Sequence, residues 1–137
     1  MELTPFVDAL PIPRVIKPKE RYRDFTYYEV TMREFNHQFH TDLPPTSVWG
    51  YDGQLPGPTF EVEKGECVHV KWINDLPEEH FLPIDRTIHS SGEDYPDVRT
   101  VVHLHGASVK PESDGLPEAW YTKGYRKTGP KFKTEVH

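Results

Sequence analysis

The sequence predicts an all-β fold, a sandwich or a small barrel, and three observations lead there. Fourteen prolines are spread over 137 residues, about twice the usual share, and proline is excluded from helix interiors and central strands. Short runs rich in β-branched and aromatic residues alternate with clusters of Gly, Pro and Asp, the pattern of strands joined by tight turns. No stretch keeps the apolar period of a convincing amphipathic helix. The length allows one domain with a real core but not two.

Taken in order, residues 1–19 carry Pro5, Pro11, Pro13 and Pro18 with little periodicity and are expected to form an extended N-terminal arm. Thr26 to Met32 reads as a first strand. Pro44-Pro45 breaks the chain, and Val48 to Tyr51 reads as a short strand ending at the Asp52-Gly53 turn. Thr59–Val62 and Cys67–Trp72 both alternate and flank Glu63-Lys64-Gly65-Glu66, which predicts a hairpin with glycine in its turn. Residues 77–97 are polar and proline-containing, and read as loop. Arg99 to Gly106 reads as a further strand closed by glycine. From Ala107 onward Pro, Gly, Asp and aromatic residues mix, which predicts a long structured loop with one short helical turn near Glu118.

Composition excludes several classes. A formal net charge of −6 argues against a nucleic-acid partner, since phosphate binding needs clustered Lys and Arg. No apolar run reaches the ~20 residues that span a bilayer, so no membrane partner is expected. The first residues lack the basic start and apolar stretch of a secretory signal, which leads to an expectation of cytoplasmic synthesis. With Cys67 as the single cysteine, no internal disulfide can form.

The sharpest feature is His103-Leu104-His105-Gly106. On a strand, alternation puts both histidines on one face and Val102 and Leu104 on the other, toward a core. The two histidine Cα atoms would lie about 6.6 Å apart. Such a pair converges on one metal, serves two neighbouring ions, or stands as two surface histidines. Neutral imidazole suits Cu, Zn, Fe and Ni alike, so the pair by itself selects no metal.

The wider context is more specific. Asp52-Gly53-Gln54-Leu55-Pro56-Gly57-Pro58, then Lys64-Gly65-Glu66, then Val68-His69-Val70 and Asn74-Asp75-Leu76 precede Thr100-Val101-Val102-His103-Leu104-His105-Gly106. This order resembles the first cupredoxin domain of the multicopper oxidase family. Phe6 to Pro13 and Ser113 to Trp120 resemble the bacterial spore-coat laccases within it, so the likeness covers nearly the whole chain. The resemblance implies a cupredoxin-like Greek-key β-sandwich over residues 20–137, an N-terminal domain that is truncated and lacks its final strands. It implies a parent enzyme that oxidises phenolic substrates and reduces O₂ to water, with copper as cofactor.

By the same resemblance, His103 corresponds to a ligand of the type 2 copper and His105 to a ligand of a type 3 copper. Asp114 falls where these enzymes carry an acidic group beside the type 2 copper, in a role of tuning ligands or handling protons. The partners implied are the remaining cupredoxin domains of the parent, and a place in the spore coat. The chain alone is expected to be inactive, and its unpaired strand edges to favour a homo-oligomer. Two alternatives stand beside this: a separate module binding Cu or Zn as a dimer, and a structural coat element. His137 matches no family ligand. Cys67 is read as a small strand residue of the kind usually buried, and His69 as lying on a solvated face. His37, His40, His80 and His89 lack motif partners, and Trp49, Trp72 and Trp120 are read as packing.

Overall fold

The computed structural model describes residues 2–133, so His137 lies outside the described residues. The chain divides into two compact units, one running to Ile73 and one starting at Asn74. No helix among the described residues is long and apolar enough to cross a membrane. The fold is all-β, and among the described residues helical structure is limited to three short 3₁₀ turns.

The first unit is built on one open sheet. Strand β1 is Glu20–Arg21, β2 is Thr26–His37, β3 is Thr46–Tyr51 and β4 is Val68–Asn74. The long β2 pairs antiparallel with β1 at its start and with β3 from Met32 to His37, and β4 also pairs with β2. Period-2 alternation places Thr26, Tyr28, Val30 and Met32 of β2 inside. Tyr28 and Val30 form the core with Ile16, against which Phe60, Val68, Val70 and Trp72 pack. The expected first strand is therefore present and extends five residues further, to His37. The Asp52-Gly53 turn is present as well, with both residues at positive φ. Asp52 holds the Thr31 backbone twice: its amide donates to the Thr31 carbonyl at 2.7 Å, and its side-chain Oδ1 accepts from the Thr31 amide at 2.9 Å.

The hairpin expected over 59–72 forms only in part. Its turn is there, with the Glu66 amide donating to the Glu63 carbonyl at 3.0 Å and Gly65 at φ 91°. Glu66 then returns its carboxylate to the Glu63 amide and to the Thr26 hydroxyl. The first arm, however, is not a strand. Thr59 spends its backbone groups on the N-terminal arm, accepting from Ile16 and donating to Arg14, both at 2.9 Å, so residues 60–62 have no ladder to join. The sandwich of two sheets is accordingly represented, among the described residues, by a single open sheet.

The arm is held by polar contacts. The His40 Nε2–H donates to the Thr4 carbonyl at 2.9 Å, while its Nδ1 accepts from the Asp42 amide at 3.0 Å. Asp42 takes the Thr4 amide, and Asp8 takes the Thr41 amide, each at 2.9 Å. Hydrogen bonds from the Thr41 hydroxyl and amide hold the Asp8 carboxyl below its ordinary value of 3.8, and the bond from the Thr4 amide does the same for Asp42. His40, which has no motif partner in the sequence, is thus a structural clamp.

Among the described residues of the second unit the buried side chains are Asn74, Leu76, Val98, Trp120, Tyr121 and Thr122. Asn74 is 1% exposed, and its carboxamide is satisfied on both ends. Its Nδ2 donates to the Tyr121 carbonyl at 3.2 Å and the Thr100 hydroxyl at 3.3 Å, and its Oδ1 accepts from the Leu76 amide at 3.1 Å.

Two outcomes are expected. Asn74→Ala strands the buried Leu76 amide and should destabilise the second unit by about 1–3 kcal/mol, read as a lower urea midpoint; an unchanged midpoint would contradict this account. For the arm, a carboxylate with a depressed folded pKa stabilises above its unfolded value and loses that contribution as pH falls through the folded one. Amide-exchange protection at Thr4 and Thr41 should therefore hold from neutral pH down to the ordinary carboxylate range and disappear below it. Protection that outlasts protonation of Asp8 and Asp42 would disprove the clamp.

Candidate metal centre

Backbone pairing in the second unit closes a long excursion of the chain. Thr100 and Tyr121 exchange both backbone hydrogen bonds, at 3.0 and 2.9 Å. Tyr121 also bridges to Thr128, and the Gly129 amide donates to the Trp120 carbonyl at 2.8 Å. Residues 101–120 are thereby gathered into a loop with a fixed neck, and this loop carries His103, His105 and Asp114.

The strand expected from Arg99 to Gly106 is corrected by the structure: only Thr100 is in a bridge. A strand exists only where a second segment runs alongside to take its N–H and C=O groups, and beyond Thr100 no partner runs beside it. The inside–outside alternation lapses with the ladder. Leu104, expected in a core, is 72% exposed, and Val102 is only half-buried. A turn at His105-Gly106, with Gly106 at φ 77°, ends the segment.

The structure nonetheless brings His103, His105 and Asp114 together. The two imidazole rings sit edge to face, 6.0 Å apart at 88°. His103 Nδ1 lies 2.7 Å from the backbone carbonyl oxygen of Asp114 and 3.2 Å from its Oδ1. Both atoms accept, so Nδ1 carries the proton and donates. In the neutral ring that leaves Nε2 with a free lone pair, and this is how a metal-binding histidine is commonly prepared: one nitrogen donates to a carbonyl or carboxylate while the other faces the ion. The 3₁₀ turn Pro111–Ser113 leads into Asp114, whose amide donates to the Pro111 carbonyl at 3.2 Å.

Two imidazoles of this kind fit copper or zinc, but they are a partial donor set. Among the described residues, no group of three or more His, Cys, Asp or Glu side chains is placed to hold a metal ion. Cys67, expected to be buried, is exposed; it lies just before β4, where its carbonyl accepts from the Thr26 amide at 2.9 Å. His69 is half-buried under Phe25, with ring centroids 4.1 Å apart, so its face is less solvated than alternation suggests. His80 Nδ1 accepts from the Leu82 amide at 3.0 Å within its own loop. Trp72 packs on the core, Trp120 is buried, and Trp49 donates to Glu34 at 3.0 Å.

What sequence reading missed is the contact surface behind His103. A Cβ on Gly115 would lie 2.7 Å from the Val102 carbonyl oxygen and 3.1 Å from the His103 Cα. The glycine itself was visible in the sequence; its approach to a histidine twelve positions earlier was not.

Comparison with known proteins places these features in context. A family model described as multicopper oxidase matches residues 31–98. Over its full length the chain is 58% identical to a laccase of Bacillus subtilis and 51% identical to a laccase of Bacillus stratosphericus, covering 27% of each. It is 42% identical, over 95% of its length, to a laccase of Haloferax volcanii, of which it covers 24%. The chain thus spans about a quarter of the length of these curated relatives.

Proposed function

The chain belongs to the multicopper oxidase family, and from that premise we propose that it forms the N-terminal copper-binding part of a laccase-type enzyme, with His103 and His105 supplying two imidazoles to the copper cluster. The observation that carries this reading is the 2.7 Å contact of His103 Nδ1 with the Asp114 carbonyl, which reserves Nε2 for an ion. His103 is assigned to the type 2 copper and His105 to a type 3 copper. Because the pair is a partial donor set, the other ligands come from another domain of a longer polypeptide.

Copper, when bound, supplies the one-electron chemistry that couples oxidation of a phenolic substrate to reduction of O₂ to water. The work of this chain is to hold and orient. The closed neck at Thr100 and Tyr121 fixes the loop, and the Asp114 carbonyl fixes the His103 ring. The Asp114 carboxylate, 3.2 Å from the same nitrogen and half exposed, adds negative charge beside the ligand and is placed to exchange protons with solvent.

The test is a titration of Cu(II) into the chain and into four variants. His103→Ala and His105→Ala should each weaken binding by more than about tenfold, a loss that even the hydrogen-bonding partners of ligands can produce. His69→Ala and His89→Ala should leave it unchanged. Equal losses in all four would mean diffuse surface binding and end this reading. Sedimentation of the copper-loaded chain identifies the source of further donors: a metal-dependent dimer would assign them to a second copy. With two imidazoles alone, the chain should oxidise no phenolic dye beyond the rate given by free copper. Oxidation abolished by His103→Ala would overturn that expectation.

A further inference from the structure

We infer that Gly115 is a positioning residue for His103: because it has no Cβ, the Asp114 carbonyl can reach the imidazole and lock it in the Nδ1–H form. The inference rests on the ligand reading above and adds a device to it.

Three observations carry it. Gly115 has φ 83°, a left-handed conformation that side-chain-bearing residues rarely adopt. Its missing Cβ would meet the Val102 carbonyl oxygen at 2.7 Å, the His103 Cβ at 3.0 Å and the His103 Cα at 3.1 Å. These neighbours are backbone or backbone-attached atoms, so relief requires moving one chain segment away from the other. The hydrogen bond that such movement would lengthen runs from His103 Nδ1–H to the carbonyl of Asp114, directly before the glycine.

The carbonyl, rather than the carboxylate, is the controlling acceptor. It is nearer, 2.7 Å against 3.2 Å, and it belongs to the backbone, so it cannot swing away. The carboxylate is about half exposed, and contacts of that kind at the surface are weak and screened by salt. A free imidazole interchanges its two neutral forms. Fixing one of them removes that freedom before any ion arrives and leaves the lone pair on Nε2.

Nitrogen-15 NMR of the histidine rings in the metal-free chain reads the tautomer directly. The wild-type chain should show His103 as the Nδ1–H form. Gly115→Ala should shift it toward a mixture and lower Cu(II) affinity by about 10–100-fold, the range for loss of a ligand's hydrogen-bonding partner. Gly124→Ala is the control: its φ is also positive, at 62°, but nothing lies within 4 Å of the added Cβ, so it should keep both tautomer and affinity. Asp114→Asn keeps the carbonyl and should keep the tautomer.

The inference is overturned if Gly115→Ala retains the wild-type tautomer, if Gly124→Ala shifts it equally, or if Asp114→Asn abolishes it. Should Gly115→Ala fail to fold, the wild-type spectrum still decides, since a tautomer mixture there removes the lock. A tautomer that responds as expected while His103→Ala leaves copper affinity unchanged would instead defeat the ligand reading.

Discussion

The buried carboxamide of Asn74 is the contact on which the second unit depends. It sits where β4 ends, and its three hydrogen bonds reach the Leu76 amide, the Thr100 hydroxyl and the Tyr121 carbonyl. Only a side chain with both a donor and an acceptor can tie these groups together in a site with almost no solvent access. An apolar replacement would leave the Leu76 amide without its partner, while the Tyr121 carbonyl kept only the Thr100 amide, and an unsatisfied buried group costs more than the usual worth of a single hydrogen bond. Through Asn74 the Thr100–Tyr121 pair is held shut, and through that pair the neck of the histidine-bearing loop is fixed.

That neck explains how a loop without a strand can present two imidazoles. Ladder hydrogen bonds stop at Thr100, so His103 and His105 owe their placement to loop closure and to the close approach of residues 114–115. Regular structure would have enforced alternation and buried Leu104. Irregular backbone exposes it and frees the histidine rings to adopt the edge-to-face arrangement observed. Fixed loops commonly carry functional groups for this reason. The contact of His103 with the Asp114 carboxylate is too exposed to organise the site by its energy; the geometry of the backbone does that instead.

The first unit follows a different logic. Its sheet is organised by an apolar core of Ile16, Tyr28 and Val30, and the hydrophobic effect stabilises it in proportion to the area buried. The N-terminal arm beyond Arg14 draws little on that effect: Phe6, Leu10 and Ile12 are almost fully exposed. Its attachment rests on His40, Asp8 and Asp42, whose side chains reach the Thr4 carbonyl, the Thr41 amide and the Thr4 amide of the opposite segment. Two neighbouring parts of one sheet unit are therefore held by forces with different responses to acid.

From residues alone, the chain's β class, the first strand through Met32, the Asp52-Gly53 turn and the Glu63–Glu66 turn were all legible. So were the candidate ligands His103 and His105, which flank Leu104 before Gly106, and the acidic neighbour Asp114, which stands in a family motif. Proline placement, period-2 alternation and turn chemistry are properties of a few consecutive residues, and sequence reports them directly. What it could not report is which segment lies beside which. Thr59 looks like a hairpin arm until the N-terminal arm takes its hydrogen bonds; Arg99 to Gly106 looks like a strand until no partner accompanies it past Thr100. Cys67 is exposed, against the habit of its residue type, because it precedes β4 and lies outside the packed face. His40 becomes a clamp and Gly115 a spacer only through residues far away in the chain. Local preference fixes what a segment can be, but a strand, a clamp and a close approach each need a second segment. Only the folded chain supplies it, because closing a loop is decided by the sum of contacts at both ends.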